Sequence, residues 1–129
     1  MNNENEKWDV IYAYTRKQAI DDGVLADISN LAKEAGFKCA VAITEGVYEI
    51  LSPTEELKIE GQDFNGRAWD MLTILIYEIR KSESTDTVYF APLIIRKPGG
   101  KPEPVKMWAK AGHGDNMEMV ITIMLIGED

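Results

Sequence analysis

From Asn65 onward the chain places Ala68, Trp69, Met71, Leu72, Leu75, Ile76 and Ile79 on one continuous face at the period of an α-helix. A stripe this wide has to be covered by another apolar layer, because apolar surface left in water forfeits about 25 cal/mol per Å². Arg67, Asp70, Thr73, Tyr77 and Lys81 lie on the other side, with Ile74 stranded among them. That side is expected to touch something besides water, and a homodimer contact is one reading.

The covering layer is expected in the C-terminal third, where β-branched and aromatic residues are punctuated by turn signals. Three strands are predicted: Thr87–Arg96, Val105–Lys110 and Met117–Ile126. The turns between them fall at Lys97-Pro98-Gly99-Gly100-Lys101 and Gly112-His113-Gly114-Asp115-Asn116. Beyond Glu118 both faces of the third strand are mostly apolar, which predicts a position covered on both sides. The expected fold class is therefore α+β, with short N-terminal helices and one long amphipathic helix packed on a C-terminal three-stranded antiparallel sheet.

Toward the N-terminus, Val10–Tyr14 is a short apolar segment, and Thr15 with Gln18 has the spacing of a capping box before a helix over Arg16–Asp22, closed by Gly23. Asp27 or Ser29 is the expected cap of a second helix that stops at Gly36. Ala40–Ile43 is apolar, and Thr44 caps a third helical stretch, Glu45–Leu51, ahead of Pro53. Residues 52–64 have the look of a connector.

A chain of 129 residues is expected to form one domain, residues 1–129, with residues 1–8 as a flexible leader. A formal charge of −8 disfavours binding to phosphate backbones, so no direct nucleic-acid binding is expected. Cys39 is the only cysteine, which rules out an intrachain disulfide and a thiolate metal cluster. The start, Met1–Lys7, lacks a secretion or transit pattern, and Val120–Ile126 is too short to cross a bilayer, so a cytoplasmic chain without a membrane role is expected.

Few residues suggest chemistry. His113 is the only histidine, and no partner stands at a triad spacing, so tolerance of an unusual turn conformation explains it better than catalysis. Gly112 and Gly114 around it give backbone amides freedom to meet a phosphate, to which His113 adds a donor, so the turn from Gly112 to Asp115 is a candidate ligand contact. Lys97 and Lys101 bracket a Pro/Gly turn without the spacing of a Walker motif. The acidic pairs Asp21-Asp22, Glu55-Glu56 and Glu128-Asp129 read as solvated edges. Trp108 shares a strand side with Lys106 and Lys110, the best ligand-contact pattern in the chain, although a lysine-protected edge strand reads the same way. Trp69 lies at the margin of the helix's apolar face. Arg16, following Tyr14-Thr15, has the planar fork to grip an anion, or to pair with Asp21 or Asp22. The candidate ligand-binding residues are thus Tyr14, Arg16, Arg67, Trp69, Lys106, Trp108, His113 and Asp115; no catalytic residue, metal ligand or cofactor is indicated.

Several blocks together carry a family resemblance: Tyr14-Thr15-Arg16, Gln18 to Leu25, Ala35-Gly36-Phe37, Val41 to Thr44, Gly66 to Asp70 and Ile121 to Leu125. From about Val10 to the C-terminus the chain resembles a group of small uncharacterised proteins carried by bacterial conjugative elements, plasmids and phages. One departure is Ala111-Gly112-His113-Gly114, where the group's pattern has a cysteine and a proline in the turn. The resemblance implies a mobile-element setting and brings no established activity. The expected function is a non-catalytic accessory binding protein that counters host defence by sequestering a small anionic or nucleotide-like signal. The alternative is an acidic protein–protein inhibitor or DNA mimic acting on a host protein.

Overall fold

The computed structural model of the protein describes residues 15–128, so the leader, the apolar segment Val10–Tyr14 and the candidate Tyr14 lie outside the described residues. Helix α1 (Arg16–Asp21) starts as its sequence predicts: the Thr15 hydroxyl accepts from the Gln18 N–H, and the Gln18 side chain accepts from the Thr15 N–H. A short strand, β1 (Leu25–Asp27), follows and leads into α2 (Ser29–Ala35), which Gly36 ends at a φ of +115°. The sequence reading puts Asp27 or Ser29 at the N-cap of α2; in the structure Ile28 holds that position instead. Ser29 is drawn off to β2 (Ala40–Thr44), where its hydroxyl accepts from the Val41 N–H at 3.0 Å.

Thr44 ends β2 and caps α3 (Glu45–Leu51) through its side chain, as predicted. The expected connector contains a further helix, α4 (Glu55–Ile59), capped by Thr54; five residues are too few for a hydrophobic period to show. The long helix α5 (Phe64–Lys81) begins at its cap Asp63. Its predicted face is the buried one: Ala68, Met71, Leu72 and Leu75 are fully enclosed, while Trp69 and Ile79 at the margins remain 40% and 38% exposed.

The sheet corrects the sequence reading. It has five strands, not three, in the order β1-β2-β7-β6-β3, where β3 is Thr87–Phe90, β6 is Met107–His113 and β7 is Met119–Leu125. Every neighbouring pair is antiparallel except β2–β7, which is parallel, so N-terminal and C-terminal strands share one sheet. The expected strand Thr87–Arg96 breaks at Pro92, which is fully buried and has no N–H to donate to a ladder. Its second half, β4 (Leu93–Ile95), pairs with β5 (Pro102–Pro104) in a separate two-stranded sheet, and the Lys97–Lys101 turn joins these two. The third strand does lie between neighbours, β2 on one side and β6 on the other.

Alternation along the strands separates two faces. Val41, Ile43, Phe90, Met107, Ala109, Ile121 and Ile123 point into the core shared with α5. Ala42, Tyr89, Trp108, Lys110, Thr122 and Met124 take the opposite face. Among the described residues, no helix is long and apolar enough to cross a membrane.

Candidate functional site

The described residues singled out from sequence fall in several places. Arg16 and Asp115 meet, but as parts of the scaffold: the Asp115 carboxylate accepts from the backbone N–H of Arg16 at 2.9 Å and of Lys17 at 3.1 Å. The Arg16 guanidinium donates to Thr122 Oγ1 and to the Ile121 carbonyl, each at 2.8 Å, and so clamps α1 to β7. Burial pushes its pKa down, against the opposing pull of Asp27, Asp115, Glu118 and Cys39. The anticipated pairing of Arg16 with Asp21 does not form, since Asp21 pairs with Lys17.

His113 is the last residue of β6 rather than a turn residue, and its Nδ1 lies 3.3 Å from the Met117 carbonyl oxygen. The unusual backbone belongs instead to Met117, at a φ of +65°. The Gly114 N–H, proposed from sequence as an anion donor, donates to the Glu118 carbonyl at 2.7 Å and closes the turn.

Arg67, expected on the outer side of its helix, is 7% exposed. Its guanidinium donates to Gln62 Oε1, to the Ile50 carbonyl at 2.9 Å and to the Ile95 carbonyl, which fastens the start of α5 to the end of α3 and to β4. Burial, with a smaller push from the Arg96 charge, lowers its pKa. Trp69 lies on the same helix, and Trp108 on β6. Trp108 is half-buried and stacks on Tyr89, with centroids 6.2 Å apart and rings inclined by 19°, beside exposed Lys106 and Lys110.

A cavity lies elsewhere, and none of the described residues picked from sequence lines it. Strands β2, β7 and β3 run the same way, so their starts and the end of β6 come to one rim of the sheet. Between this rim and the C-terminal half of α5 is a space of about 650 Å³. Ile76, Ile79, Val88, Ala109, Ala111 and Ile121 form its apolar wall, and Lys38, Cys39, Arg80, Ser84, Thr85, Asp86 and Glu118 supply its polar groups. The space exists because β6 presents two alanines beneath the end of α5, where larger side chains would fill it. That pair of small residues, opposite an isoleucine-rich helix end, was the available signal in the sequence.

Burial raises the Cys39 pKa, with Arg16 opposing, so the thiol is held back from its nucleophilic form. Among the described residues no side-chain base hydrogen-bonds to Cys39, and no three His, Cys, Asp or Glu come together as a metal site. A cavity of this volume with mostly apolar walls and a few polar groups is the usual form of a small-molecule site.

The model of a family described as a family of unknown function (DUF6573) matches residues 1–129. No curated protein and no solved structure matches the chain.

Proposed function

We propose that this chain, which belongs to the DUF6573 family, is a non-catalytic binding module that takes up a small ligand in the cavity between α5 and the sheet. One observation carries the reading: an apolar space of about 650 Å³ whose mouth holds Lys38 and Arg80, neither of them in an ion pair among the described residues. The wall accepts a flat or aliphatic body and the two cations accept an anionic group, which is the division of labour a nucleotide-like molecule requires. The resemblance to proteins of conjugative elements, plasmids and phages supports an accessory role, in which enclosing such a signal withholds it from host defence. The site is then the cavity rather than the surface around Trp108.

Isothermal titration with cyclic and ADP-ribose-type nucleotides tests this. Saturable one-site binding with at least one of them is expected, weakened by Arg80→Gln; absence of heat with every member contradicts the nucleotide reading.

A further inference from the structure

Resting on the cavity reading above, we propose that the site selects a ligand with an apolar body and a single anionic group, and discriminates against further negative charge. The argument is one of charge balance at the mouth. Two cations, Lys38 and Arg80, and two carboxylates, Asp86 and Glu118, line it. The cations have no ion-pair partner among the described residues, and so are available to an incoming anion.

The carboxylates are held in place. Asp86 accepts from the Thr87 hydroxyl at 3.0 Å; Glu118 accepts from the Asn116 N–H at 3.0 Å and lies within the field of the Arg16 charge, which leaves Asp86 as the less compensated of the two. Both stand where strands of the sheet begin, β3 for Asp86 and β7 for Glu118. One anionic group at the mouth gains from Lys38 and Arg80; additional phosphates there meet Glu118 and Asp86, the latter in no ion pair among the described residues, on a chain of charge −8. The helix end at the cavity has the same sign. Arg80 lies in the last turn of the 18-residue α5, so the cavity faces the negative end of its dipole. Polyphosphate sites are built the opposite way, on a helix N-terminus and a cradle of free backbone amides.

Two sources share the selected chemistry, the cyclic phosphodiester of a nucleoside and a medium-chain carboxylate. Isothermal titration of the full chain with cyclic AMP, AMP, ATP and decanoate separates them. A singly charged probe is expected to bind, with affinity falling at least about tenfold from cyclic AMP to ATP. Asp86→Asn with Glu118→Gln should flatten that ladder while thermal unfolding shows the variant folded. Decanoate binding without cyclic AMP supports charge selection and removes the nucleotide form of the function. ATP binding as tightly as cyclic AMP overturns charge selection and leaves the cavity reading standing. Silence from all four probes overturns both.

Discussion

Asp115 and Arg16, 99 positions apart in sequence, are joined by the 2.9 Å hydrogen bond from the Arg16 backbone N–H to the Asp115 carboxylate. With the bond from Lys17, the β6–β7 turn thereby satisfies two of the amides that the first turn of α1 leaves open. The Asp115→Ala variant is expected to lose about 1 kcal/mol of stability in urea unfolding, and Asp115→Asn less than half of that, since an amide oxygen still accepts. Equal losses would show that charge rather than acceptance matters.

Arg67 fastens three segments by hydrogen bonds to carbonyl and amide oxygens rather than to a carboxylate. Arg67→Met keeps the apolar stem and strands the Ile50 and Ile95 carbonyls. The expected cost is about 2–3 kcal/mol in urea unfolding. Arg67→Lys should rescue little, because one ammonium lacks the planar fork that spans these acceptors. An Arg67→Met variant of unchanged stability would contradict this fastening role.

Met117 holds a left-handed backbone with its side chain 71% exposed, so its conformation costs energy that side-chain packing does not return. Met117→Gly is expected to raise stability by about 0.5–1 kcal/mol in thermal unfolding. Loss of stability would mean that the Met117 side chain makes a contact that matters.

Burial disfavours the Cys39 thiolate, so the pH profile of its alkylation by iodoacetamide should have its midpoint above that of a free cysteine in the urea-unfolded chain. The nearby Arg16 charge acts in the opposite sense, and Arg16→Met should move the midpoint higher still. A midpoint at or below the unfolded value would contradict the half-buried placement of the thiol.

What could be read from sequence was local. The Thr15, Thr44 and Gly36 signals act within one helical turn, and the face of α5 repeats often enough to be recognised. The sheet was not legible because its central decision is non-local: β2 is an apolar run of five residues, and nothing in it announces a parallel partner 80 positions away in β7. Pro92 was a visible sign that Thr87–Arg96 divides, since proline interrupts a ladder. The cavity was not legible for a related reason. Arginines and aromatics attract notice in a sequence, whereas the cavity is made by what is small, Ala109 and Ala111, brought under α5 by the strand order.

The most direct test of the central claim is a methyl-resolved NMR titration of the labelled chain with cyclic AMP. If the cavity is the site, the methyl resonances of Ile76, Ile79, Val88, Ile121 and Met119 shift together and saturate with one binding curve, while Met124 beside Trp108 stays in place. Shifts confined to Met124 and the neighbourhood of Trp108 and Tyr89, with the cavity methyls unmoved, would contradict it.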